Sequence, residues 1–177
     1  RSSEPWRLAL DGGAAQEIYY EPDELYQIGV QRTRDREYLL LGIWATDSTE
    51  FHFWRAAEPE SAPRLFRKRE RDHKYDLDHR GGLFYIRSNR RAKNFRLLTT
   101  PVEQPEEEHW TEWIAHDPAV LLEGVELFRE HAVLVEKHEG LERLRVMDFA
   151  SGAVRAIAVP EAVYAMFPGG NPEFDTN

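Results

Sequence analysis

Two Asp-His dipeptides, Asp72-His73 and Asp78-His79, stand six residues apart, and a carboxylate beside an imidazole is the pairing expected of a general base or a metal ligand. On a single strand the even separation would put both rings on one face, but about 20 Å apart at a rise of roughly 3.3 Å per residue. They cannot hold one metal that way. Hydrogen bonding at turns and strand ends is the expected role of this pair, and His52, His109, His116, His131 and His138 are scattered. Nucleophilic chemistry finds no support either. The serines are Ser2, Ser3, Ser48, Ser61, Ser88 and Ser151, and none lies in a Gly-x-Ser-x-Gly elbow. No phosphate-cradling glycine loop and no His-Glu-x-x-His pattern occurs.

Carboxylates are the remaining reactive class. Asp76, Asp78, Glu123 and Glu126 fall on strand-like runs. A glycosidase would need two of them about 5–10 Å apart. Glu103, Glu106, Glu107 and Glu108 crowd one loop, but it lacks the Asp/Asn-Gly grammar of a calcium loop and reads as a solvated acidic segment. There are no cysteines, which excludes a disulfide scaffold, a thiolate nucleophile and a cysteine zinc site, and favours a reducing compartment, the cytoplasm. No metal and no cofactor is expected.

The elements that must position these groups follow a repeat. Comparable strand starts fall at Tyr26, Tyr75, Val120 and Tyr164, spaced 49, 45 and 44 residues. Between them lie quartets of short alternating runs, separated by turns such as Gly81-Gly82 and Ser151-Gly152. A four-stranded unit at this period is the mark of a β-propeller blade, and blades must stack to bury their apolar faces. The expected fold is all-β, a partial β-propeller of about 3.5 four-stranded antiparallel blades out of seven. The pieces are placed at about 5–22, 26–72, 75–117, 120–160 and 163–177 of a single domain. Asp11-Gly12-Gly13 turns the first hairpin, and Tyr164–Phe167 opens a last inner strand. Glu123–Arg129 could wind as a helix, but Val125, Phe128 and Gly124 favour a strand. Too few blades are present to close a ring, so the chain reads as a piece of a larger protein.

Charge is unevenly spread. The net charge is −9, yet Arg64–Arg96 holds twelve Lys/Arg against four Asp/Glu, so this stretch carries +8 and the remainder −17. Basic residues interleaved with Phe66, Tyr75, Phe84, Tyr85 and Phe95 could meet nucleic acid. An acidic chain argues against phosphate binding, and pairing with acidic neighbours is the expectation. No apolar run approaches the ~20 residues of a membrane span, so neither a nucleic acid nor a membrane partner is expected.

The run Asp72-His73-Lys74-Tyr75-Asp76-Leu77-Asp78-His79, followed by Leu83-Phe84-Tyr85-Ile86-Arg87-Ser88-Asn89 and Lys93-Asn94-Phe95, resembles the oligopeptidase B (protease II) branch of the prolyl oligopeptidase family of serine peptidases. Leu122-Glu123-Gly124 and Glu136 to Leu141 look like the next blade of that family. The resemblance implies a seven-bladed propeller joined to an α/β-hydrolase domain that carries Ser, Asp and His and cleaves after Arg or Lys. That hydrolase domain is absent from this chain, so no catalytic residue carries over, and the chain alone is expected to be inactive. What it implies for this segment is gating: admitting short basic peptides, excluding folded proteins, and moving against the hydrolase domain of the same parent chain.

Candidate gating or interdomain residues are Arg87, Asn89, Asp78, His79 and Glu123. Arg87 could contact the catalytic domain or substrate, or equally fix the following loop by bonding backbone carbonyls. Asn89 and Asn94 flank a basic turn, where asparagine caps backbone groups. The rival reading is a stand-alone propeller interaction module, which usually repeats a Gly-His…Trp-Asp or glycine-pair signature in each blade; none recurs here. Open blade faces predict self-association of the isolated segment.

Overall fold

A computed structural model describes residues 4–10, 12–161 and 164–176, in two compact units, Arg1–Tyr75 and Asp76–Asn177. Asp11 of the expected first turn, and Val163 and Asn177 of the expected last blade piece, lie outside the described residues. Among the described residues the only helical element is one 3-10 turn, Glu107–His109, and no helix is long and apolar enough to cross a membrane.

In the first unit, β1 (Trp6–Arg7) and β2 (Gln16–Glu17) form a two-stranded antiparallel ladder. A four-stranded antiparallel sheet follows in sequence order: β3 (Gln27–Arg32), β4 (Tyr38–Trp44), β5 (Thr49–Arg55) and β6 (Arg64–Arg67). The near-continuous apolar run of β4 is explained by burial on both faces, since Leu40, Leu41 and Ile43 are all enclosed. Along β5 the period of two sends Phe51 and Phe53 to one side and His52 to the other. The Phe side builds an edge-to-face series, Tyr38–Phe53 at 6.2 Å, Phe53–Phe66 at 6.3 Å and Phe51–Tyr75 at 5.4 Å between centroids. Buried Tyr75 is anchored at its hydroxyl, which accepts the Phe51 N–H at 2.9 Å and donates to the Arg67 carbonyl at 2.8 Å. Burial pushes that hydroxyl well above its ordinary pKa, so it stays a donor.

The other side of β5 carries charge. Glu21, fully enclosed, receives both arms of Arg69 at 2.6 and 3.2 Å. Glu50 accepts the His52 ring nitrogen at 2.9 Å and the Arg69 amide at 3.1 Å. Arg69 also lies over the Tyr26 ring, 3.9 Å from its centroid. Each buried carboxylate thus has several donors, which is the condition for keeping a charge inside.

The second unit holds two four-stranded antiparallel sheets. One is β7 (Tyr75–Arg80), β8 (Leu83–Ser88), β9 (Arg96–Pro101) and β10 (Thr111–Ile114). The other is β11 (Val120–Leu127), β12 (His131–His138), β13 (Leu141–Asp148) and β14 (Val154–Ala156). Gly81 and Gly82 both adopt positive φ, +59° and +79°, the backbone that a two-residue hairpin turn requires. The segment weighed as a possible helix is strand β11. Its core joins the two sheets: Tyr85 and Leu97 meet Leu122, Leu127, Ala132 and Leu134. Tyr85 adds an edge contact to Trp113 at 5.0 Å, and Trp113 stacks on Phe149 at 5.4 Å.

β9 begins at Arg96, because Phe95 turns the chain at φ 64° and the Asn94 carbonyl accepts the Leu122 N–H instead of a ladder bond. Residues 164–167 form no strand. The Met166 N–H goes to the Glu142 carboxylate at 2.9 Å, and no neighbouring strand among the described residues offers a ladder.

Candidate functional site

The first strand of each sheet in the second unit carries three of the sequence-selected residues, Asp78, His79 and Glu123, while Arg87 lies on β8 and Asn89 just after it. Along β7, Leu77 and His79 point into the sheet packing, while Asp76, Asp78 and Arg80 take the more open positions. His79 is 1% exposed, with its ring edge-on to Phe84 at 5.6 Å. Asp78 is half-buried and its Oδ1 accepts the His79 backbone N–H at 2.8 Å. Glu123 is exposed and sits at a β-bulge, where the register of β11 against β12 shifts between Leu122 and Gly124. A bulge re-aims side chains, and here the added residue is an acid.

Arg87 is a brace between the two sheets. Its Nε donates to the Leu122 carbonyl on β11 at 2.7 Å, its Nη1 pairs with Asp76, and its guanidinium lies 3.7 Å from the Phe95 ring centroid. Arg80 does the same at the other end of β7. Its Nε is shared between the carbonyls of Phe128 and Arg129, at 3.1 and 2.7 Å, and its guanidinium covers Phe149 at 3.6 Å. Both cations are therefore committed to backbone and ring partners. Asn89 closes the basic turn through its carbonyl, which accepts the Ala92 N–H at 3.0 Å. Asn94 caps the next connection, its side-chain amide donating to the carbonyls of Asp117 and Pro118 at 3.3 and 2.8 Å.

The structure thus brings Arg87, Asp76 and the β11 backbone together, and places Asp78, whose Oδ1 accepts the His79 N–H, and exposed Glu123 on the first strands of the two sheets. The basic stretch meets acids within each unit. Arg67 pairs with Glu70 at 2.5 Å, Arg90 with Glu107 at 2.8 Å and Arg96 with Glu112 at 3.1 Å. The acidic loop thereby serves the basic turn through Glu107. Arg80 was not selected from sequence, since nothing local says which carbonyls it reaches. A second omission is Glu136 with Arg143 and Arg145. Its signal was present: a two-residue turn at Glu139-Gly140 sets His138 opposite Leu141 and hence Glu136 opposite Arg143.

Comparison with known proteins gives these features a context. The family model described as prolyl oligopeptidase, N-terminal beta-propeller domain, matches residues 4–176. A curated relative, dipeptidyl aminopeptidase BI of Pseudoxanthomonas mexicana, is 34% identical over 161 residues, which is 90% of this chain and 22% of that protein. Human prolyl endopeptidase-like is 25% identical over 151 residues, covering 85% of this chain and 21% of its own length. The chain therefore spans about a fifth of the curated relatives it matches. Among solved structures, oligopeptidase B from Trypanosoma brucei with covalently bound antipain, in its closed form, superposes with a TM-score of 0.82 at 21% identity, over 92% of this chain and 24% of that one. Oligopeptidase B from Leishmania major gives the same values. The antiparallel sheets are accordingly blades of a partial β-propeller.

Proposed function

The chain belongs to the family of prolyl oligopeptidase N-terminal β-propeller domains, and from that premise we propose that it is the non-catalytic gate of a serine oligopeptidase. In this reading it covers the active site of a hydrolase domain on the same parent chain, admits short peptides and rejects folded ones by size. Preference for basic peptides, as in cleavage after Arg or Lys, would come in part from the propeller wall. The observation that carries the reading is the division of charge among β7, β8 and β11. Asp78 and Glu123 stand on the leading strands, whereas Arg80 and Arg87 are spent on carbonyls and rings. In a blade the leading strand faces the central channel, so a cationic peptide entering there meets carboxylates. A cysteine-free chain suits the cytoplasm, where we place the parent.

The test uses the parent protein with its hydrolase domain. Glu123→Lys combined with Asp78→Asn is expected to lower kcat/KM several-fold for an arginine-containing short peptide, with little change for a neutral one. The difference should shrink as salt rises, because exposed charges are screened over roughly 8–10 Å at physiological ionic strength. Equal effects on both peptides would remove the electrostatic role. Hydrolysis of an arginine chromogenic peptide by this chain alone would overturn its assignment as non-catalytic.

A further inference from the structure

A second polar site lies in the second unit where the β10–β11 connection and the start of β11 meet the face of β12 and β13. A cavity of about 80 Å³ opens there, space for roughly two to three waters at about 30 Å³ each. At its floor Glu136 is 2% exposed. Its carboxylate takes Nε and Nη2 of Arg143 at 3.0 and 2.7 Å and Nε of Arg145 at 2.9 Å, and also pairs with Nη2 of Arg145. A guanidinium has five N–H donors, so each arginine commits two to Glu136 and retains three. Two cations face one buried anion, and the arginine side chains are about one-third exposed, 32% and 29%, so solvent reaches them.

Phe95, Ile114, Val120 and Leu122 add apolar groups to a lining that is otherwise mostly polar. Phe95 is held there in a left-handed backbone at φ 64°, unusual for a bulky residue, with Arg87 against its ring. One further charge faces the space, Asp117, whose Oδ1 is already engaged by the Ala119 N–H at 2.8 Å. Its carboxylate opposes an incoming anion and sets the affinity below what two arginines alone would give.

We infer that this cavity is a binding site for a small carboxylate on an apolar stem, of about propionate size, held by the spare donors of Arg143 and Arg145 with the stem against Phe95 and Leu122. A planar carboxylate matches the guanidinium fork, and a lining in which Glu136 and Asp117 balance the two arginines suits a monoanion better than a dianion. The same group exists as a peptide's acidic side chain and as a chain-terminal carboxylate, so both sources present the chemistry this site reads.

The experiment is titration of the isotope-labelled chain, followed by NMR at Phe95, Ile114 and Val120. The probes are propionate, inorganic phosphate, acetyl-Ala-Glu-Ala-amide and acetyl-Ala-Ala with a free C-terminus. Saturable shifts with propionate are expected, weakened about tenfold or more in Arg145→Gln, the loss of one charge-assisted hydrogen bond. Asp117→Asn, which leaves the Glu136 cluster intact, should tighten propionate binding. It keeps the test decisive if Arg145→Gln fails to fold. Whichever peptide reproduces the shifts identifies the source. Binding of phosphate alone, unsaturable shifts with propionate, or propionate affinity unchanged in both variants would overturn the site.

Discussion

At the residue scale, buried polar groups carry the most informative energetics. Tyr75 satisfies one backbone donor and one backbone acceptor with a single hydroxyl. Tyr75→Phe leaves the Phe51 N–H and the Arg67 carbonyl without that partner, each at a cost of about 1–3 kcal/mol if it stays dry. A lower denaturant midpoint at unchanged m-value is the expected result, and an unaltered midpoint would mean that water replaces the hydroxyl. Glu50 supplies a pH dependence. Burial alone would push its carboxyl up, but the hydrogen bonds from the His52 ring and the Arg69 amide, with the charges of both side chains, hold it below its ordinary value of 4.5. The folded carboxyl is therefore the stronger acid. Its contribution is complete above about pH 4.5 and is lost as pH falls further, through the depressed folded value. Urea unfolding at a series of pH values should show this acid-side loss, and Glu50→Gln should flatten it.

At the element scale, the strand pattern explains which glycines matter. Gly29 on β3 stands opposite Gly42 on β4, and the Trp44 ring lies across both. A Cβ at Gly29 would come within 2.9 Å of the Trp44 ring, and one at Gly42 within 3.0 Å of Phe51 and 3.2 Å of Trp44. Gly42→Val is thus an overpacking change, expected to cost about 1–3 kcal/mol. Trp44→Ala in the Gly42→Val background should recover part of the loss, read as thermal midpoints. Independent, additive losses would show that the ring is not the obstacle. These glycines look like ordinary strand interruptions in the sequence, because Trp44 reaches Gly29, and Phe51 reaches Gly42, only when β4 is paired.

At the scale of the whole molecule, the first unit leaves Leu8, Leu10, Leu25, Val30 and Leu65 substantially exposed. Scattered apolar side chains are common on surfaces, but these five together with Trp6, Tyr20 and Trp44 in one unit favour association of the isolated chain. A concentration-dependent rise in mass by light scattering at tens of micromolar is expected, and a monodisperse monomer would count against it. Four-stranded units were legible in the amino-acid sequence because period-two burial and the Gly81-Gly82 and Ser151-Gly152 turns are local, each written within a few residues. The family was legible for a similar reason, since the run from Asp72 to Phe95 is contiguous. Partners were another matter. That Arg87 spans to the Leu122 carbonyl, that Arg80 reaches Phe128 and Arg129, and that a cavity opens beside the Glu136 cluster depend on how sheets pack and where a bulge falls. A charged side chain in sequence announces only its charge, and whether it is spent on a carbonyl or left for a ligand is decided by groups tens of residues away that only tertiary packing brings within 3 Å.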